Sequence, residues 1–295
     1  MIFYNICNIK KIFLDLIKVT EILYSVVSKY TTQIEAVSCD ELYIDASNFI
    51  SSENISPERL AEMIRSDFSS ESNLQVSIGI GQNRLLARMA TNIAKPNGVY
   101  HVTGDGRDFM LEVPLKNIPN IGHQLHQKLK EKIFEAGVNF GGELLCSHLL
   151  QIDASAVKDA IGVARGEKLI KNCQGICEEE LNFEKIRKSI SAEINYGIRF
   201  KNWIMAEDFL ICFVRYVFQK YKKSQMESRK LTVKLHYREP DAGFEPVKYG
   251  GMGHCNGITK SIDVIPRKFT EDFFLSSTVS ILKGFQVRQR FVNPI

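Results

Sequence analysis

A run late in the chain, Ser189 to Phe200, alternates without a break. Its even positions, Ile190, Ala192, Ile194, Tyr196, Ile198 and Phe200, are apolar, and its odd positions, Ser189, Ser191, Glu193, Asn195, Gly197 and Arg199, are not. Successive side chains of an extended strand point to opposite faces, so a period of two predicts a strand with one buried face. Leu231 to Arg238 repeats the pattern, with Leu231, Val233, Leu235 and Tyr237 inward and Thr232, Lys234, His236 and Arg238 outward. Between the two runs, Ala206 to Tyr221 reads as an apolar-rich helix able to cover the buried face. The expectation for this part is a small α+β sandwich whose open sheet face is basic and rich in hydroxyls. Such a face suits a phosphate backbone.

A second constraint lies near the start. The apolar stretches Ile34–Val37 and Leu42–Ala46 flank a tip bearing two adjacent carboxylates, Asp40 and Glu41. On a regular strand these neighbours would face opposite ways, whereas a sharp hairpin tip lets both address one point. At ~4 Å and an effective dielectric of ~20, two carboxylates repel by about 4 kcal/mol. A hard divalent cation removes that cost, so the tip reads either as a metal site of the phosphoryl-transfer type or as a solvated acidic turn.

Bulk properties narrow the classes. The 295 residues are 44% hydrophobic and 24% charged, as in a water-soluble globular chain of two or three domains. Seven cysteines are scattered, and only Cys173 and Cys177 lie close together. That spacing indicates neither a zinc site nor a disulfide framework and fits a reducing compartment. The apolar N-terminus is interrupted by Lys10, Lys11, Asp15, Lys18 and Glu21. It therefore offers no run of roughly 20 residues to span a bilayer and no secretory leader, so no membrane partner is expected. The net charge of +4 divides into −5 for residues 1–182 and +9 for residues 183–295. A basic last third beside an acidic remainder suggests one part that grips a polyanion.

Three segments follow. The first, residues 1–98, reads as mixed α and β: a helix over Ile17–Tyr30, the acidic hairpin, and a helix started by Ser56-Pro57-Glu58 and running to about Phe68. A strand over Leu74–Gly81, a helix over Arg84–Ala94 and a Lys95-Pro96-Asn97-Gly98 turn complete it. The second, residues 99–182, is mostly helical and carries Ile118-Pro119-Asn120-Ile121-Gly122 before a helix. This is either a helix-hairpin-helix, whose backbone N–H groups hold a nucleic-acid phosphate, or a plain Pro-Gly connector. The third, residues 183–295, is the alternating α+β part, with a charged link over Lys222–Lys230.

Four motifs in this order carry a resemblance. Ser38-Cys-Asp40-Glu41, then Gly79-Ile-Gly81-Gln-Asn-Arg84 with Lys95-Pro-Asn-Gly98, then the Ile118–Gly122 hairpin, then Arg187-Lys-Ser-Ile-Ser-Ala-Glu193 resemble a Y-family translesion DNA polymerase. The wording around Ser38 and across Arg187–Phe200 is most similar to the deoxycytidyl transferase branch. The resemblance implies a partial palm over 1–98, a helix-hairpin-helix thumb over 99–182 and a little-finger domain over 183–295. It implies that Asp40 and Glu41 are catalytic ligands of two Mg²⁺ ions, and that Lys95 meets the triphosphate of incoming dCTP. Ile118, Ile121, Gly122, Arg187, Lys188, Ser189 and Ser191 would follow primer-template DNA. Lys248, Met252 and Gly253 would line the pocket for an extruded template base. For Lys95 an exposed helix end, for Lys188 a solvated strand end, and for Lys248–Gly253 an ordinary glycine-rich loop remain the alternatives.

The activity implied is template-dependent nucleotidyl transfer in translesion synthesis and DNA repair, in the nucleus, by dCMP insertion. The family's first metal aspartate, its fingers and its protein-pairing N-terminal element have no counterpart before Asp40; Asp15 sits in a helix-like context. The expectation is accordingly a truncated form, whose contacts with other translesion polymerase subunits would use regions absent here. The alternative is a primer-template DNA-binding module without transferase activity.

Overall fold

In a computed structural model the chain divides into two compact units, Met1–Lys185 and Ile186–Ile295. The structure describes residues 2–184, 186–194, 198, 200, 202–237, 255–265 and 269–288. The expected base pocket at Lys248, Met252 and Gly253 lies outside the described residues. The fold is mixed α and β.

The first unit opens with helix α1 (Ile2–Ser28), followed by strands β1 (Ile34–Ala36) and β2 (Leu42–Ile44), which pair antiparallel with Glu35 opposite Tyr43. A short helix α2 (Ser47–Glu53) leads to α3 (Pro57–Ser72). Pro57 takes the first position of α3, and the Ser56 hydroxyl accepts the Arg59 N–H, as the sequence predicts. The helix runs past Phe68 to Ser72 and ends on Asn73 in the left-handed conformation, φ 57°. Leu23, Val26 and Val27 of α1 pack against Leu60, Ile64 and Phe68 of α3, with the hairpin residues Ile34, Leu42 and Ile44 against them.

Strand β3 (Ile78–Ile80), helix α4 (Arg84–Ala94) and strand β4 (Val99–His101) form a β-α-β unit with the strands parallel. The strand expected over Leu74–Gly81 is three residues long, the length over which it pairs with β4. The helix buries Leu85, Leu86, Met89, Ala90 and Ala94, an apolar stripe at helical spacing. Its other face meets β3 across Gly79, where an added Cβ would lie 2.2 Å from the Ala87 carbonyl oxygen and the Thr91 nitrogen. Glycine there serves close approach of two backbones.

The remainder of this unit is helical: α5 (Arg107–Leu111), a 3-10 turn at Leu115–Asn117, α6 (His123–Glu135), α7 (Cys146–Leu149), α8 (Ala154–Ile161) and α9 (Val163–Cys173). One apolar cluster runs from Leu85, Leu86 and Met89 of α4 through Met110, Leu115, Leu129 and Ile133 to Leu169 and Cys173. Within it the Cys146 and Cys173 thiols meet; the hydrogen bond to Cys146, with burial, pushes the Cys173 thiol up.

In the second unit, α10 (Trp203–Ser224) and α11 (Glu271–Arg288) accompany the antiparallel pair β5 (Lys230–Tyr237) and β6 (Asn256–Asp263). Val214 and Phe218 of α10, Leu231 of β5, Val264 and Phe274 form its core. Residues 186–194 are not in a strand, contrary to the reading of their alternation. The alternation survives in burial: Ile190, Ala192 and Ile194 are half-buried, while Ser189, Ser191 and Glu193 are exposed. Period two reports which side chains seek cover; a strand also needs a backbone partner along its length, and the sequence does not name one.

Candidate metal centre at an acidic hairpin

The tip between β1 and β2 is a tight turn closed by backbone. Val37 and Ser38 both donate their N–H to the Glu41 carbonyl, at 3.1 and 3.0 Å. Inside it the Ser38 hydroxyl accepts the N–H groups of Asp40 (3.3 Å) and Glu41 (3.1 Å) and donates to Asp40 Oδ1. One hydroxyl offers one donor and two acceptors, so Ser38 is fully used in holding the two acidic residues. From outside, Thr20 Oγ1 of α1 donates to the Cys39 carbonyl at 2.7 Å and pins the apex. The sequence reading included Ser38 in its motif but missed Thr20, since nothing in the sequence links residues on a helix to a turn beyond it.

The electrostatics favour an ionised tip. The Ser38 hydroxyl holds the Asp40 carboxyl below the usual carboxylate range, assisted by the Lys95 ammonium. Lys95 caps the C-terminal end of α4, where the helix dipole favours a cation. Its Nζ lies 3.9 Å from Glu41 Oε1, both side chains being more than half exposed. The structure thus brings Asp40, Glu41 and Lys95 to one place. A surface pair of this kind contributes ~0–1 kcal/mol, so Lys95 faces the carboxylates without neutralising them permanently.

Two hard, exposed carboxylates suit part of the shell of a divalent cation that keeps water and phosphate oxygens as its other ligands. The donor set therefore fits the ion that the sequence implies. Among the described residues no group of three or more His, Cys, Asp or Glu side chains gathers to hold a metal. Asp15 lies on α1, exposed and 3.9 Å from Lys18.

The second expected contact region centres on Gly122, the N-cap of α6, which has no side chain to cap the helix. Amides of the first helical turn have no intrahelical acceptor, so this end presents N–H donors to solvent. Ile118 is 2% exposed and donates its N–H to Leu115, and Ile121 donates to Ile118. Both isoleucines thus shape the turn, with Asn120 in the left-handed region at φ 69°. Beside it, a cavity of about 150 Å³ is lined by Lys116, His126, Lys130 and Phe140 among others. Burial first, then the charges of Lys130, Lys116 and His123, lowers the His126 pKa. Glu143, which also lines this cavity and pairs with Lys116, opposes that shift.

In the second unit Arg187, Lys188, Ser189 and Ser191 are exposed in irregular backbone. The face of the β5–β6 pair away from the core carries Thr232 and Ser261, whose hydroxyls are 2.8 Å apart, together with Lys234 and Thr259.

Known proteins resemble this chain over most of its length. The profile of the impB/mucB/samB family matches residues 9–92, and that of its C-terminal domain matches residues 187–275. The chain is 34% identical over 241 residues to the DNA repair protein Rev1 of Drosophila melanogaster, covering 81% of this chain and 23% of that protein. It is 29% identical over 252 residues to the REV1 protein of Arabidopsis thaliana, covering 84% and 22%. DNA polymerase IV of Serratia proteamaculans is 32% identical over 210 residues, 71% of this chain and 55% of that enzyme. The chain thus spans about a quarter of the Rev1 relatives and about half of the bacterial one.

A Y-family DNA polymerase chimera of Dbh and Dpo4 shares the fold with a TM-score of 0.68 at 19% identity, over 93% of this chain and 72% of that one. An insertion ternary complex of Dbh DNA polymerase does so at 0.53 and 18%, over 94% and 72%. No helix among the described residues is long and apolar enough to cross a membrane. With both profiles together matching more than half of the residues, in the expected order and on the shared fold, the chain belongs to the impB/mucB/samB family of Y-family DNA polymerases.

Proposed function

We propose that this chain serves template-dependent nucleotidyl transfer in translesion DNA synthesis and DNA repair, in the nucleus, and that the nucleotide inserted is dCMP. In this reading residues 1–98 act as palm, 99–182 as thumb and 183–295 as little finger. The observation that carries it is the turn in which Ser38 and Thr20 hold Asp40 and Glu41 at one apex, with Lys95 3.9 Å from Glu41. Asp40 and Glu41 would each offer carboxylate oxygens to two Mg²⁺ ions. Bound there, the ions would lower the pKa of a primer hydroxyl and offset charge on the triphosphate and leaving pyrophosphate.

Lys95, a compact point charge, would meet the β and γ oxygens of dCTP. The exposed amides at Gly122 and the first turn of α6 would hold a backbone phosphate of primer-template DNA, Ile118 and Ile121 keeping the turn in shape. Arg187, Lys188, Ser189 and Ser191 would follow the template strand. Lys248, Met252 and Gly253 would receive the extruded base.

The second reading, a primer-template DNA-binding module, is favoured by one observation: among the described residues no third His, Cys, Asp or Glu joins Asp40 and Glu41 in a metal-holding group. The two readings separate in a primer-extension assay of the purified chain with dCTP and Mg²⁺. The chain is expected to bind primer-template DNA and to insert dCMP poorly, and loss of that residual insertion in Asp40→Ala would support the first reading. Robust insertion abolished by Asp40→Ala would refute the binding-module reading; Mg²⁺ and dCTP binding that survives both Asp40→Ala and Lys95→Ala would refute the assignment of the site.

A further inference from the structure

Glu35 on β1 is a buried carboxylate, 4% exposed. Its two oxygens face the guanidinium of Arg84 at 3.2 and 3.3 Å, a forked pair. One of them also accepts the backbone N–H of Asn182 at 2.9 Å. The guanidinium lies 4.9 Å from the centre of the Tyr43 ring, the residue opposite Glu35 in the hairpin, and 3.9 Å from Glu179. Next to Arg84, the Asn83 amide donates to the Gly175 carbonyl at 2.9 Å. The segment after α9 is therefore strapped to the start of α4 and to β1.

An apolar pair of the same volume would stabilise such a site as well or better, because burying two charges costs much of what their attraction returns. Stability alone does not account for the ion pair. What it offers over an apolar contact is a single permitted geometry, since a forked guanidinium–carboxylate pair tolerates little rotation. The three pieces it joins all matter to the proposed site. Strand β1 leads within three residues to Ser38. Helix α4 is a rod of about 16 Å whose other end is Lys95. Residues 179–182 immediately precede the end of the first unit at Lys185.

We propose that Glu35 is a positioning residue. Its carboxylate registers the acidic hairpin against the helix that delivers Lys95, and ties both to the segment through which the chain leaves the first unit. The proposal rests on the reading of Asp40 and Glu41 as metal ligands, and deepens it.

The test uses the full chain and its Glu35→Gln variant, compared by amide hydrogen exchange at temperatures well below unfolding. Exchange at Asn182 and at the tip amides of Asp40 and Glu41 is expected to rise together, by about tenfold to a hundredfold, with α8 unchanged. Mn²⁺ affinity at the tip is expected to fall by roughly tenfold. Arg84→Lys, which keeps the charge but not the fork, should act in the same direction, and decides the matter if Glu35→Gln does not fold. A tip unaffected while Asn182 loosens, or a uniform loosening of the whole unit, would overturn the proposal. Mn²⁺ binding indifferent to Asp40→Asn would instead remove the metal reading, leaving the exchange result to judge Glu35 alone.

Discussion

Replacing Gly79 by alanine tests how the site is assembled. The new Cβ would stand 2.2 Å from the Ala87 oxygen and the Thr91 nitrogen and 2.5 Å from Thr91 Oγ1, where ordinary contact begins at 3.4 Å. These are backbone atoms or, for the hydroxyl, a group already bonded to the Ala87 carbonyl at 2.8 Å, so none can swing aside. Helix α4 must retreat by about 1.2 Å, the difference between 3.4 and 2.2 Å. Its opposite face, Leu85, Leu86, Met89 and Ala90, is embedded in the core and gives it nowhere to go. Overpacking of this kind costs about 3 kcal/mol, the upper end of the usual range. For a cooperative unit of this size that lowers Tm by roughly 6–12 °C. The assay is thermal unfolding followed by circular dichroism, with Gly141→Ala as control, since a Cβ at Gly141 meets nothing within 4 Å. The control should fall within about 0.5 kcal/mol of the wild type. A Gly79→Ala protein melting within ~2 °C of the wild type would refute the claim that backbone contact sets the position of α4.

Three further outcomes are expected. Ser38→Ala removes the hydrogen bond that keeps Asp40 ionised below the usual carboxylate range. A carboxylate must be deprotonated to bind a cation, so on acidification the Ser38→Ala variant should lose Mn²⁺ binding at a higher pH than the wild type; superimposable pH profiles would contradict this. Glu58 is held low by its hydrogen bond to His101. A depressed carboxylate contributes stability that is complete above about pH 4.3 and lost as pH falls through its lower folded value. Glu58→Gln should therefore cost up to about 1 kcal/mol at pH 6 and nothing at pH 2, read from denaturant midpoints. Finally, iodoacetamide followed by peptide mass mapping should modify the exposed Cys39 and Cys212 quickly and leave Cys146 and Cys173 protected; equal labelling would mean that the core around α9 is open.

Local signals were the most legible in the sequence. The helix over Arg84–Ala94 has the predicted bounds because both ends carry their own stop signals, Asn83 bonding to the Leu86 N–H and the Lys95–Gly98 turn. Ser56-Pro57 fixed the start of α3 in the same way. The acidic hairpin was legible because two apolar runs around a polar tip have few other uses. Strand β5 keeps the expected alternation over its first half, with Leu231 buried and Lys230, Thr232 and Lys234 exposed, whereas His236, expected outward, is half-buried with its Nε2 covered. What escaped was non-local. Glu35 looked like any charge in a short strand, and its partners Arg84 and Asn182 lie 49 and 147 positions away. The tie from Thr20 to Cys39 spans 19 positions and has no pattern to betray it. Side-chain alternation in 189–194 was read correctly as burial and wrongly as a ladder, because burial is a property of one segment and pairing of two.

The interactions that define the site are not those that hold it in place. Lys95 and Glu41 are each more than half exposed and 3.9 Å apart, a pair worth at most about 1 kcal/mol. Left to that attraction, an ammonium on a four-carbon stem would sample many positions. The helix bearing it, however, buries five apolar side chains. Even at ~1.5 kcal/mol for each fully buried large side chain, Leu85, Leu86 and Met89 alone outweigh the pair several-fold. The location of Lys95 is therefore set by packing along α4, the shape of the acidic tip by the Ser38 and Thr20 hydrogen bonds, and the register between the two, as proposed above, by the Glu35–Arg84 pair. This division of labour leaves the charged groups weakly committed to each other. A cation or a phosphate can then exchange into their partnership at little cost, which is what a site that must take up and release charged ligands requires.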